Sequence, residues 1–242
     1  MLIRLASVAA AALGIASAST VPVDLSTWVE ESVGSANWVL AGDNNSVTQT
    51  LNGAPTVYYD PSPSQGKTLA GTIRVNTGGD DDFIGFVLGF ESGDLSTDNP
   101  GFLLLDWKQN DQSGTPRGLA LSRVTGNIDT DPPFGSIDRA QSLTELARGT
   151  TLGNVGWADL QTYSFELVFT PTLVKVFVDG VEEISVTGSF ENGGFGFYNY
   201  SQGNVTYGAI EEGVAPPIPV PGAAALFLPA ALGAVWRRRK AA

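Results

Sequence analysis

Three consecutive carboxylates, Asp80-Asp81-Asp82, form the densest charge in the chain; Gly78-Gly79 precede them and an apolar run from Phe83 follows at once. Ionised side by side, such groups repel one another unless a cation neutralises them. A turn lets consecutive carboxylates and backbone carbonyls converge. Ca²⁺ accepts roughly six to eight oxygens in a flexible shell, whereas Mg²⁺ demands a stricter and wetter one. The triplet is therefore a candidate calcium site, with a solvated polar loop as the alternative. No EF-hand loop matches, since the D-x-D-x-D-G order with a distant Glu is absent.

Other residue types narrow the chemistry. The 242 residues include no histidine and no cysteine, which excludes a Ser-His-Asp triad, a cysteine nucleophile and an ordinary zinc or copper site. Carboxylate chemistry and hard-cation binding remain. Asp98-Asn99 and Asp129-Thr130-Asp131 lie in long polar stretches, where a loop either grips a ligand or stands solvated. Trp107, inside an apolar run, reads as core in preference to a ring on which a sugar stacks. Trp157, in a Gly-rich stretch, is open to two readings, core or a ring face on which a sugar stacks. Asp106 and Lys108 share one face of their strand by the period of two, and a solvent-facing ion pair explains them.

The elements that position these residues read as strands. Between the two ends the chain is a string of short apolar runs, alternating or continuous, broken by Gly, Asn, Asp and Pro. The pattern predicts strands over 36–40, 47–51, 56–59, 69–75, 83–90, 101–109, 118–124, 162–169, 173–178, 182–187, 194–200 and 204–209. A short helix is predicted over 143–148. So many strands in one chain imply an all-β sandwich of two stacked sheets. Asp179-Gly180, between β-branched residues, signals a tight hairpin. The runs Ile84 to Phe90 and Phe102 to Leu105 are apolar on both faces, as central strands covered on each side should be. No repeat of solenoid or propeller period occurs.

The formal net charge of −12 conceals a segregation. All 25 acidic residues lie between Asp24 and Glu212, and the eight basic residues that share this stretch leave it at −17. Such a surface repels phosphate backbones, so nucleic acid is not an expected partner. At the N-terminus, Arg4, the apolar run Leu5 to Ile15 and Ala16-Ser17-Ala18 have the form of a signal peptide over residues 1–20. A single domain over 21–213 follows, then a Pro-rich linker, 214–221, and a tail, 222–242. The tail has an apolar segment, 222–236, and the basic cluster Arg237-Arg238-Arg239-Lys240. Fifteen apolar residues interrupted by Pro229 make a marginal permanent transmembrane anchor. The basic cluster should stay cytoplasmic and leave the acidic domain outside, with the inner membrane held transiently or permanently.

Two resemblances add to these readings. The C-terminal end resembles the PEP-CTERM and VPLPA-CTERM sorting signals of Gram-negative bacteria, which implies processing by an exosortase-type enzyme. Gly222 and Ala223 stand where the VPLPA form has Leu and Pro. The central domain resembles the thrombospondin C-terminal domain through an ordered set of pieces: Asp80 to Phe90, Leu105-Asp106-Trp107-Lys108-Gln109, Gly156-Trp157 and Phe195 to Gln202. Trp38 to Leu40 and Gly71 to Thr77 are similar to its opening strands. This resemblance implies a concanavalin or L-type-lectin-like jelly-roll β-sandwich of two antiparallel sheets that binds calcium in extracellular adhesion. By carry-over Asp80, Asp81 and Asp82 become its metal ligands. Trp157, Asp98 and Asn99 are the candidates for contact with an extracellular glycan or surface protein. Two alternatives stand beside the calcium-binding recognition module. One is a purely structural surface or exopolysaccharide-matrix protein. The other is a glycan-cleaving enzyme, since a retaining glycosidase needs only two carboxylates about 5 Å apart. The sequence lacks the alternating Glu-x-Asp-x-x-Glu of hydrolases of this shape; Glu166 stands alone on its strand, and Glu182 and Glu183 point to opposite faces. The expectation is a non-enzyme.

Overall fold

A computed structural model describes residues 19–112, 114–128 and 142–217. The stretches 1–18 and 218–242, and with them most of the signal-peptide and tail readings, lie outside the described residues, as does Asp129-Thr130-Asp131. The strands are β1 (Val21–Pro22), β2 (Val29–Ser32), β3 (Trp38–Leu40), β4 (Val47–Gln49) and β5 (Thr56–Asp60). Next come β6 (Lys67–Val75), β7 (Phe83–Phe90), β8 (Leu103–Lys108), β9 (Gly118–Val124) and β10 (Leu143–Arg148). The set closes with β11 (Thr162–Phe169), β12 (Leu173–Val178), β13 (Val181–Thr187), β14 (Gly194–Tyr200) and β15 (Val205–Val214).

They form two antiparallel sheets, as the pattern of short runs implied. The front sheet runs β13-β12-β11-β6-β15-β4-β3, with β1 paired to the far part of β15; the back sheet runs β10-β9-β8-β7-β14-β5-β2. Asp179 and Gly180 both take positive φ (48° and 78°) and close the hairpin between Val178 and Val181. That conformation is what the Asp-Gly pair supplies at low cost.

Alternation divides the back sheet's side chains between two apolar layers. Ile84, Phe86, Leu105, Trp107 and Phe197 face the front sheet and pack with Phe165 and Tyr207. The intervening Phe83, Val87, Leu104 and Tyr198 form a second cluster on the opposite face, joined by the loop residues Leu95, Phe102 and Ile128. All of β7 and β8 is therefore buried, with about 1.5–3 kcal/mol gained for each large apolar side chain withdrawn from water. Gly85 is required where the backbones crowd: a Cβ there would lie 1.9 Å from the Leu105 carbonyl oxygen. Its N–H turns to the phenol of Tyr207 (3.2 Å), which crosses the core and donates to the Tyr198 carbonyl (2.8 Å).

The helix expected over 143–148 is instead the edge strand β10, paired antiparallel with β9 and bulged between Glu145 and Ala147. Six residues are too few to sustain a helix by propensity alone. The open edge of β9 offers a ladder partner to all of them but the bulged Leu146, so tertiary context prevails. Two short strands at the start, β1 and β2, went unread because neither carries an alternating apolar pattern.

One buried carboxylate ties the two sheets at this edge. Glu183 of β13 accepts hydrogen bonds from the N–H groups of Thr151 (2.8 Å) and Leu152 (3.0 Å), and from the Thr151 hydroxyl. Leu152 in turn accepts from Leu119 of β9 through its carbonyl (2.9 Å). Replacing Glu183 by Ala would strand these donors, at about 1–3 kcal/mol for a buried unsatisfied group. Urea unfolding should show that loss and a smaller one for Glu183→Gln; a midpoint unchanged in Glu183→Ala would remove the tie from the account.

Candidate functional site

The acidic triplet sits in the connection from β6 to β7. Gly79 takes a left-handed φ of 95° and turns the chain into it. The three carboxylates converge, each offering an oxygen within 4.8 Å of the others, with Asp80 and Asp81 half-buried and Asp82 buried. Burial and the neighbouring charge of Asp82 push the Asp80 carboxyl above its ordinary range, although Asn52 donates to it at 2.6 Å.

Asp82 already has a cation. Lys108 and Phe83 face each other across the β7–β8 ladder, and the Lys108 ammonium lies 2.8 Å from Asp82 Oδ1, 2.8 Å from Gln112 Oε1 and 3.2 Å from the Asp81 carbonyl. It stands 4.8 Å above the Phe83 ring and is only 1% exposed. The expected solvent-facing pair of Asp106 and Lys108 is thus corrected. The two do share a face, but that face is covered, Asp106 is 0% exposed, and Lys108 pairs with Asp82.

Of the two readings of Trp157, the core one fits the structure and the stacking one does not. Its ring is 2% exposed, and its indole N–H donates to the Asp82 carbonyl at 3.1 Å. A sugar has no ring face to stack on there. Gly156 permits the approach, since a Cβ would fall 1.8 Å from the Gln109 carbonyl. Trp107 is core, its N–H bonded to the Val155 carbonyl at 2.8 Å. On the other side Gln202, fully buried, accepts from the Asp82 N–H at 3.2 Å. Sequence reasoning missed Gln202 and Asn52, whose hydrogen bonds join distant parts of the chain, and Gln112, only four residues from Lys108 but beyond the end of β8.

Asp98 and Asn99 are exposed in the loop that follows β7. The triplet precedes the same eight-residue strand, so the two groups flank opposite ends of β7, which is roughly 25 Å long. Glu166 is exposed with Ala70 and Phe177 as its cross-strand partners, and neither supplies a second carboxylate. Glu182 pairs with Lys175 at 2.7 Å, while Glu183 is buried.

In the Asp98 loop the Asp94 carboxyl is pushed up by burial and by the charges of Glu91 and Glu31. A carboxyl raised in the folded state adds stability that is complete below its unfolded pKa and lost as pH rises through the folded value. At neutral pH the ionised group is a liability. Asp94→Asn should raise Tm at pH 7, with the gain vanishing below about pH 4, where the unfolded Asp is protonated as well. Equal thermal shifts at both pH values would contradict this.

The profile of the thrombospondin C-terminal region matches residues 33–123. Thrombospondin-3b of Danio rerio is 25% identical over an alignment covering 71% of this chain, and thrombospondin-3 of Homo sapiens is 26% identical over 72%. The chain spans 20% of the length of each of these relatives. Among solved structures, the carbohydrate-binding module CBM66 from Bacillus subtilis superposes with a TM-score of 0.54 at 10% identity, covering 76% of this chain and 94% of that one. The potassium-bound carbohydrate recognition domain of Emp46p gives 0.52 at 14%, covering 80% and 91%. At such identities the likeness is one of fold, a lectin-like sandwich. The pieces that resemble the thrombospondin domain, distant in sequence, meet at the triplet: Asp82, Lys108, Trp157 and Gln202 form one hydrogen-bonded group.

Proposed function

We propose that this chain is a calcium-binding recognition module of the thrombospondin C-terminal kind, exported from the cell and not an enzyme. The observation that carries the reading is the convergence of the Asp80, Asp81 and Asp82 carboxylates at the head of β7, with Asp80 held above its ordinary range by burial and a like charge. A carboxylate so placed gains from a cation. A hard divalent ion that takes oxygen ligands suits the donor set, which lacks nitrogen and sulfur. Asp80 and Asp81 would hold it, because Asp82 is committed to Lys108. Bound calcium would supply positive charge to the β6–β7 connection. The chain's own contribution is to fix that connection through Asn52, Gln202 and Trp157.

The partner on this reading is an extracellular glycan or surface protein, supported by the lectin-like fold and met at the loops. The void between the sheets, about 20 Å³ and lined by residues such as Ile84, Phe86 and Phe165, is too small for such a ligand. Export rests on the sequence of residues 1–20, and exosortase processing with membrane attachment rests on the sequence of 222–242. Among the described residues no helix is long and apolar enough to cross a membrane.

Thermal unfolding with and without calcium tests the metal. Saturation at about 100 times Kd adds roughly 2.7 kcal/mol, a Tm rise of about 5–10 °C for a domain of this size. The rise should be absent in the double variant Asp80→Asn, Asp81→Asn. A wild type indifferent to calcium would withdraw the metal from the proposal.

A further inference from the structure

We infer that Lys108 is the resident counter-cation of the acidic triplet and sets the strength with which Asp80 and Asp81 hold a metal. This rests on the calcium reading above. An ammonium has three protons to place, and the Lys108 Nζ has an oxygen for each: Asp82 Oδ1, Gln112 Oε1 and the Asp81 carbonyl. Asp81 Oδ1 lies 3.9 Å from the same nitrogen. The side chain is walled in, with the Phe83 ring over it, so it does not swing away to admit another ion.

The consequence is electrostatic. Three carboxylates and one ammonium leave the group at a formal −2. Calcium arriving at Asp80 and Asp81 meets a fixed positive charge beside Asp81. Repulsion between a divalent ion and a unit charge a few ångströms away weakens binding by about tenfold even under aqueous screening. A purely structural lysine would act the other way, because its loss would loosen the site and weaken the metal.

Calcium titration by calorimetry of the full chain and three variants separates these cases. Lys108→Gln should bind calcium about tenfold tighter than wild type. Asp82→Asn should bind more weakly, and the double variant Asp82→Asn, Lys108→Gln should return close to the wild-type Kd, because its formal charge is again −2. Should Lys108→Gln fail to fold, the comparison of Asp82→Asn with the double variant carries the same test, and removal of the ammonium must again tighten binding about tenfold. Equal or weaker binding on losing Lys108 overturns the inference while leaving a calcium site in place. Binding to Lys108→Gln but not to wild type upholds the inference and removes calcium from the natural protein. No binding by any of the four sinks both.

Discussion

A buried ammonium must find oxygen on every side, and that requirement organises the head of the back sheet. Lys108 has no access to water, so the chain supplies acceptors from the connection before β7 and from Gln112 after β8. Asp82, drawn to the ammonium, is fixed in turn by Gln202 after β14 and by Trp157 before β11. Register follows from the same need. A slip of one residue between β7 and β8 would turn Lys108 into the apolar layer between the sheets and put Trp107 on the opposite face. Breaking a buried pair of this kind typically costs about 3–5 kcal/mol, far more than an exposed pair contributes.

The fold was legible where side-chain period speaks directly to geometry. Strands β7, β9, β11, β12 and β14 match their sequence-predicted bounds residue for residue, because alternation or continuous apolarity over such lengths admits one reading. Leu143 to Arg148 was not legible, for its residue types carry helical propensity and only the waiting edge of β9 decides for a strand. At the site, the charge of the triplet was plain, and the common face of Asp106 and Lys108 was right. Whether that face is covered is another matter. Alternation says which way a side chain points, but not what lies above it, so neither the burial of Lys108 nor its pairing with Asp82 could be read. Trp157 could not be decided for a similar reason, since its partner is a carbonyl 75 positions away.

Covering both faces of the back sheet has its own effect on recognition. The layer built on Val87, Leu104 and Tyr198 fills the outer face of that sheet with side chains, so a partner meets this sheet at its rim of loops. Asn52, Asp80, Asp81 and Asp159 cluster on that rim at one end. The arrangement suits contact through a few charged and polar tips held by a stiff body.

The last strand has a consequence for load. β15 lies inside the front sheet, hydrogen-bonded along its length to β6 and on the other side to β4 and β1. A pull on the chain beyond Val214 is therefore taken up along the strand axis by ladders on both flanks, which must shear together instead of opening one rung at a time. A tug on the C-terminal segment is passed to the middle of a sheet, where a β-sandwich resists extension best.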